Sequence, residues 1–597
     1  MCGIAGVAGR SLSSPPAVLR HRGPDGTAHV EVTLGGAPAV LYHSRLAIVD
    51  LSHAGDQPMS NEDGRLSMVF NGEIYNHEEL RSECISRGHT FRSNMDGEVI
   101  LHLWEDEGPA CLARLNGIFA VAIADTQSGE LFLARDPLGV KPLVYSVGND
   151  GSLTFASEIS ALAQLGAALP GPDVTALGCF LTFMWVPDPL TLMRGASALQ
   201  PGRYLRWSVH EPLQTRSYRV IVPRPEMVRG RAFADALVEL RAVLGSACER
   251  QLLGDVPISV MASGGVDSSL VWASAGKGVD RAYTIRWPEG SKEGSGEDAR
   301  AVERLHEALG TPVTFLDGAG AEHGYLPSSG DLFGDPAYEL TRLIARATRA
   351  DGRKVLLSGQ GGDELFGGYR RHFVAPLLGR LTTGAAGRSL PRLLEHVPGG
   401  LNVEFAARFA RASSHRDPFR RYMELCSYST ADERARVLGC SAAEVSDEVV
   451  LARHREYWDA LPEGLSFLRK AMALDLGVYL PGLGLGYVDR AGMEFGVEIR
   501  VPLLDLDLVE WSFTLADEHL VRRGSGKLLP KALAREVIPP EVVDRPKRGF
   551  GAPSDTLATR GREEGTKGHR QGKYFALAAD VATRWIDAVP TTFGDGE

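Results

Sequence analysis

Met1-Cys2-Gly3-Ile4-Ala5-Gly6 opens the chain, and the reading of that stretch decides the rest. Once the initiator methionine is removed, Cys2 carries its thiol and a free α-amine on one residue. An α-amine titrates near ~7.7–8.0, so part of it is unprotonated at neutral pH and can take a proton from the thiol beside it. The result is a nucleophile with its own base. Taken alone, an early cysteine is more often a small buried hydrophobe, so the residues that follow have to separate the two readings.

From Cys2 to about Trp207 the chain alternates short apolar runs with Gly, Pro, Asp and Asn. Ala39–Tyr42, Leu46–Val49, Leu66–Phe70, Ile118–Ile123 and Glu130–Ala134 have strand lengths, and Glu78–Arg87 and Glu98–Asp106 have helix periods. These elements carry His21-Arg-Gly-Pro-Asp25, His43-Ser-Arg-Leu-Ala-Ile-Val-Asp50, Phe70-Asn-Gly-Glu-Ile-Tyr-Asn-His77, Asp96-Gly-Glu98 and Ala134-Arg-Asp-Pro-Leu-Gly-Val-Lys-Pro142. Singly, Arg45 reads as a surface ion pair and Asn71-Gly72 as a hairpin turn.

In order and spacing, together with Cys2, they resemble the glutaminase domain of class II amidotransferases, an N-terminal-nucleophile αββα sandwich. The resemblance implies that Cys2 attacks the glutamine amide, with the Asn71 side chain and the Gly72 N–H as oxyanion hole. It implies that Arg45 holds the glutamine carboxylate through its planar guanidinium, with Glu73 and Asp96 on the ammonium. One departure is visible. Between Gly6 and His21 the chain is shorter than the family usually is, which bears on the lid of the glutamine pocket.

Residues 208 to 230 are punctuated by proline and lack a period, so the domain junction is expected there. A helix is expected over 232–253. The buried strand Pro257–Ala262 then runs into Ser263-Gly264-Gly265-Val266-Asp267-Ser268-Ser269 and a helix start. Small residues let amides turn inward and the helix N-terminus adds partial positive charge, so this loop is a phosphate cradle. It lacks the Gly-Lys-Ser/Thr ending of a Walker A loop. It resembles instead the pyrophosphate loop of adenylating enzymes, implying ATP at Ser263, Gly264, Gly265, Asp267, Ser268 and Ser269.

A second glycine loop, Ser358-Gly359-Gln360-Gly361-Gly362-Asp363-Glu364, follows the apolar run Lys354–Leu357. Strand-like 281–287 and 312–316 alternate with helix-like 297–310 and 338–350, the signature of a parallel sheet that binds ligands at the carboxyl ends of its strands. Asp267 and Asp363 are then the candidate Mg²⁺ carboxylates, Ser358 and Gly359 further pyrophosphate contacts, and Glu364 a catalytic candidate.

Tyr479-Leu-Pro481, Val488–Met493, Val497–Asp505, Lys527 and Asp544–Gly551 extend the likeness to about residue 550. The whole resembles the glutamine-hydrolysing asparagine synthetases of bacterial type. The expected fold is α/β in two domains: the sandwich over 1–210, a linker over 211–230, an adenine-nucleotide α-hydrolase-like parallel sheet with surrounding helices over 231–555, and a tail over 556–597 of no assigned role. The resemblance implies ammonia from Cys2 attacking an acyl-adenylate to give a carboxamide, AMP and pyrophosphate. Lys547 would neutralise the developing charge, or is a solvated loop lysine. Arg490, Glu498, Arg500 and Asp505 read as an ion network beneath the site.

Two departures concern the acceptor. Gln360 stands where the synthetases have glutamate, and an amide cannot serve as a base. Pro481-Gly-Leu-Gly-Leu-Gly-Tyr487 is apolar where acidic and lysine positions are usual. The acceptor is aspartate or another carboxylate, as in secondary metabolism or cell-wall precursors. Ring-closing β-lactam-forming relatives are a rival reading, but they typically lack the N-terminal cysteine, and a non-catalytic sensor is another.

Composition sets the outer bounds. The 597 residues suffice for several domains, 44% are apolar, and the formal net charge of -11 argues against nucleic acid as a partner. The seven cysteines form no CxxC pair, which fits a reducing, cytoplasmic compartment. No run of about 18 apolar residues is evident, so no membrane partner is expected. The partners are small molecules (glutamine, ATP, a carboxylate), and a homodimer is left open.

Overall fold

The computed structural model describes residues 2–12, 18–287, 295–320, 326–380, 403–522, 524–545 and 573–593. Two six-stranded antiparallel sheets form the N-terminal half. In the first, Gly3–Ala8 lies between Leu153–Ala156 and Ala37–Arg45. In the second, Leu66–Ile74 pairs with Gly117–Asp125, which pairs with Glu130–Arg135. Ile4, Leu41, Val69, Ala120, Leu133 and Phe155 interdigitate between the sheets. Helices His77–Ser86 and Glu98–Glu107 cover the second sheet, and Ile159–Gln164 and Val174–Phe183 the first. This is the αββα layering expected, and it explains why strands such as Leu66–Ile74 are buried along their whole length: both faces are covered.

The strand Gln214–Ser217 pairs with Arg203–Ser208 at the edge of the second sheet. The sheet therefore takes in residues expected to be linker; their polar composition is that of an exposed edge.

The second half is built on a five-stranded parallel sheet in the order Val313–Asp317, Arg281–Arg286, Ile258–Met261, Val355–Leu357, Glu498–Arg500. The order reverses between Ile258–Met261 and Val355–Leu357. Ligands of such sheets bind at that switch point, beyond the carboxyl ends of the strands, and both glycine loops leave the sheet there.

Phe467–Met493 is one continuous helical run long and apolar enough, by length and composition, to cross a membrane, although charged residues such as Asp475 and Asp489 interrupt its apolar run. Within its apolar window 78% is buried inside the fold, so it is a core helix here. Its middle, Asp475–Leu485, is wound as a π-helix. A Cβ on Gly477 would lie 2.2 Å from the Tyr457 hydroxyl and one on Gly482 2.1 Å from the Trp185 ring. The glycines of this apolar stretch thus let two aromatic side chains reach the helix axis. The last helix, Lys573–Phe593, returns to the N-terminal half, where Ala578, Val581 and Trp585 pack with Phe180 and Leu162.

Candidate active sites

Cys2 immediately precedes the central strand Gly3–Ala8 and is buried. Its backbone nitrogen donates to Asn71 Oδ1 at 2.9 Å. Asn71 Nδ2, also buried, has no partner among the described residues. On the same strand the amides of Phe70 and Ile74 donate to Gln57 Oε1 and Asp96 Oδ2, each at 2.6 Å, on the edge away from Gly117–Asp125. By the two-residue period, the Gly72 N–H midway points off that same edge. A Cβ at Gly72 would lie 2.0 Å from the Ile118 carbonyl oxygen, so only glycine fits. Burial pushes the Cys2 thiol up, against the pull of the Leu46 amide. Burial also lowers His43 to about 3, which keeps it neutral.

Arg45, expected at the glutamine carboxylate, donates to Asp56 Oδ1 at 2.7 Å and to the Ser52 carbonyl at 2.8 Å. Asp50, at a positive φ of 50°, ties this loop to the next: its Oδ1 accepts from Ser52 and its Oδ2 from the Asn94 amide at 2.8 Å. Asp96 keeps Oδ1 buried and unpartnered among the described residues. Glu73, expected at the glutamine ammonium, pairs through Oε1 with Arg500 across the domain junction at 3.0 Å, while its Oε2 is buried without a hydrogen-bond partner among the described residues. Its carboxyl is raised strongly by burial and then by Glu498.

The second site joins the two glycine loops. Ser263 Oγ and Ser268 Oγ lie 2.9 Å apart, and the Gly265 amide donates to Ser263 Oγ at 3.3 Å. Ser269 Oγ is buried without a partner among the described residues. Gly264 has φ +68°, and a Cβ on Gly359 would lie 2.6 Å from the Ser268 nitrogen, so the loops touch backbone to backbone. A Cβ on Gly362 would lie 2.6 Å from the Asp267 carboxyl carbon.

Lys527 lies between the two expected metal carboxylates: its ammonium pairs with Asp267 and, at 2.5 Å, with Asp363. Both acids therefore converge on one small cation. Two carboxylates at the carboxyl ends of neighbouring strands, in a glycine cradle that a Cβ would fill, suit a hard divalent ion. Gln360 donates through Nε2 to the Tyr487 hydroxyl. Lys547 lies outside the described residues.

Glu364 accepts from the Tyr369 hydroxyl at 2.5 Å, and burial followed by the charge of Asp363 raises it to about 7. The folded protein keeps this proton up to about pH 7, whereas an unfolded chain releases it near ~4.3. Between those values the native state binds more protons, so stability is lost as pH rises through the window. Glu364→Gln is expected to remove that loss, on the order of 3 kcal/mol across the full window. Thermal unfolding midpoints of both proteins, at pH values below and above the window, check it; parallel pH profiles would assign the proton elsewhere.

Residues with no catalytic role assigned from the sequence link the two sites. Arg22, fully buried, donates to the Cys2 carbonyl at 3.2 Å, to Glu158 at 2.9 Å and, through both terminal nitrogens, to Asp489 at 2.9 and 3.1 Å. Arg500 reaches Glu73 with its side chain, while its carbonyl accepts the Ser358 amide at 2.8 Å. Lys141 is fully buried with an Nζ unpartnered among the described residues, and burial lowers its pKa despite Glu498, Asp489 and Asp136 nearby. The expected ion network is thus divided: Arg490 pairs with Asp331 and Asp489, Arg250 with Asp505, and Arg500 with Glu498 and Glu73. No signal in sequence spacing marks partners separated by hundreds of residues.

A family profile described as a glutamine amidotransferase domain matches residues 1–219, and one described as asparagine synthase matches 239–565. A protein of Mycobacterium tuberculosis is 31% identical over 595 residues, covering 92% of this chain and 86% of its own length. Asparagine synthetase (glutamine-hydrolyzing) 1 of Bacillus subtilis is 27% identical over 574 residues, covering 93% and 87%. Among solved structures, the glutamine phosphoribosylpyrophosphate amidotransferase of Bacillus subtilis aligns with a TM-score of 0.28 at 16% identity, over 60% of this chain and 81% of that one. That likeness is too loose to bear on the fold.

Proposed function

This chain belongs to the asparagine synthase family, with a glutamine amidotransferase domain at its front, and from that premise we propose that it converts a carboxylate to a carboxamide with glutamine and ATP. In the first half-reaction the Cys2 α-amine takes the thiol proton and the sulfur attacks the glutamine amide carbon. Asn71 Oδ1 orients the amine, while Asn71 Nδ2 and the Gly72 N–H receive the charge that grows on oxygen. Ammonia leaves, and water releases glutamate from the thioester. Arg45 takes the substrate carboxylate on exchanging its contact with Asp56, and Asp96 Oδ1 takes the ammonium. Glu73 joins it on the ammonium through the unpartnered Oε2, while its Oε1 pairs with Arg500.

In the second half-reaction the acceptor carboxylate attacks the α-phosphorus of ATP on the loops Ser263–Ser269 and Ser358–Gly359, expelling pyrophosphate and leaving an acyl-adenylate. Ammonia attacks that carbonyl, AMP departs, and Glu364 takes the proton. Asp267 and Asp363 would hold Mg²⁺, which when bound neutralises phosphate charge. Lys527 adds a cation beside them, and Lys547 is the further candidate for neutralising the charge that develops on the adenylate.

One observation carries the coupling of the halves: a single side chain and carbonyl, those of Arg500, touch Glu73, next to the oxyanion-hole residues, and the Ser358 loop. A cavity between the domains is lined by Val140, Leu143, Phe333, Pro481 and Leu485 together with the charged Arg135, Asp188, Asp331 and Arg490; its apolar side is where a passage for ammonia, which in bulk water is mostly protonated, would run. The segment that lines it also faces Gln360 through Tyr487.

Aspartate is the first acceptor to test. The Gln360–Tyr487 pair and the apolar Pro481–Leu485 favour a second reading, a less charged carboxylate. A panel of carboxylates supplied with glutamine and ATP, scored for AMP, amide and glutamate together, decides. AMP formed with no amide from any of them, or amide formed without glutamate release, would overturn the scheme.

A further inference from the structure

Away from both sites, Glu62, His89, His102 and Glu105 converge so that one ligand atom from each lies within 4.8 Å of all the others. They come from three segments: the turn after Asn61, the loop after helix His77–Ser86, and one face of helix Glu98–Glu107, where positions 98, 102 and 105 align. His102 is 2% exposed, and neither ring nitrogen has a hydrogen-bond partner among the described residues. Each nitrogen instead faces a carboxylate at ion-pair distance, Glu62 at 3.5 Å and Glu98 at 3.7 Å, so the imidazole is only partly satisfied, which folds rarely retain without a reason.

The distances give the reason. Glu62 Oε1 lies 3.5 Å from His102 Nδ1, and Glu105 Oε2 lies 3.4 Å from His89 Nδ1. Both are long for hydrogen bonds. They match the separation of roughly 3.3 Å between ligands of a tetrahedral ion with bonds of about 2.0 Å. The second nitrogen of each ring faces an outer carboxylate, Glu98 at 3.7 Å and Asp106 at 3.3 Å, the kind of partner that orients a metal-bound imidazole. The site carboxylates are braced in turn: Glu62 Oε1 accepts the Thr90 amide at 3.1 Å, and Glu105 Oε1 accepts from Asn61 Nδ2.

We propose that Glu62, His89, His102 and Glu105 form a binding site for a divalent transition-metal ion of the zinc class, held by two imidazoles and two carboxylates. Four protein ligands fill a tetrahedral shell, so the ion is structural and not catalytic. It clips the turn and the loop to the helix. The clipped loop continues into Asn94 and Asp96, so the ion braces the segment that carries Asp96 to the Cys2 pocket.

The test uses the full-length protein stripped with a chelator and titrated with Zn²⁺ and with Co²⁺. The expected result is one equivalent of tight binding, a raised unfolding temperature, and the intense visible absorption of four-coordinate cobalt. Glu62→Gln and His89→Asn, changes at accessible positions, are expected to weaken binding at least about 10-fold and to lose that absorption, as is His102→Gln. Asp363→Asn should leave the absorption unchanged, which separates this site from the all-oxygen one. Should His102→Gln fail to fold, the two accessible variants decide. Absence of stoichiometric binding, a cobalt spectrum of six-coordinate type, or wild-type affinity in Glu62→Gln and His89→Asn would overturn the proposal.

Discussion

Cys2→Ala is expected to lower glutamine-dependent amide formation by on the order of 10³-fold or more, while synthesis from added ammonium continues. The change is small in the fold. Residue 2 is buried at the head of a strand paired on both sides, and alanine keeps the backbone nitrogen that donates to Asn71. Only the nucleophile is lost. Burial raises the Cys2 thiol, so at neutral pH the sulfur depends on a neighbouring base, and in the proposed mechanism that base is the α-amine freed by removal of Met1. Protein that retains Met1 has an amide nitrogen there in place of an amine, and it should be as deficient as Cys2→Ala. Glutamate release and amide formation, measured separately with each nitrogen source, check both claims. Undiminished glutamate release from Cys2→Ala would remove Cys2 from the mechanism.

Much of this arrangement was legible in the chain because the chemistry sits on local elements. The helix expected over 78–87 forms at His77–Ser86, that over 232–253 at Phe233–Arg250, and the strands expected at 257–262 and 281–287 form at Ile258–Met261 and Arg281–Arg286. Their periods and breakers are strong, and the loops between them are short. What escaped is long-range. Nothing near Lys527 in sequence says that its ammonium will meet Asp267 and Asp363, and nothing near Arg22 says that it will bond Cys2, Glu158 and Asp489 together. The glycines of 481–487 looked like a departure in the acceptor pocket; at least Gly482 is there for packing against Trp185. His89 and His102 gave no signal because their ligand partners come from separate segments, outside any metal-binding spacing.

The Lys527 contact yields the second large effect. Lys527→Met is expected to reduce ATP–pyrophosphate exchange, and amide formation from either nitrogen source, by on the order of 10²–10³-fold, with glutamine hydrolysis retained. Lys527 is 5% exposed in a left-handed backbone conformation, and the acids beside it hold its ammonium charged against the opposing effect of burial. Methionine fills the stem's volume and removes the charge, leaving Asp267 and Asp363 facing each other. Breaking this part-buried ion pair from one side costs less than the about 3–5 kcal/mol of a fully buried one, and the variant should still melt earlier. A purely structural lysine would predict that loss of stability and nothing more. If the ammonium balances two acids that also receive Mg²⁺, added Mg²⁺ should raise the melting temperature of Lys527→Met by more than it raises that of the wild type, because no cation competes for the carboxylates. Exchange at the wild-type rate, or an equal Mg²⁺ response in the two proteins, would show that the lysine and the metal carboxylates act independently.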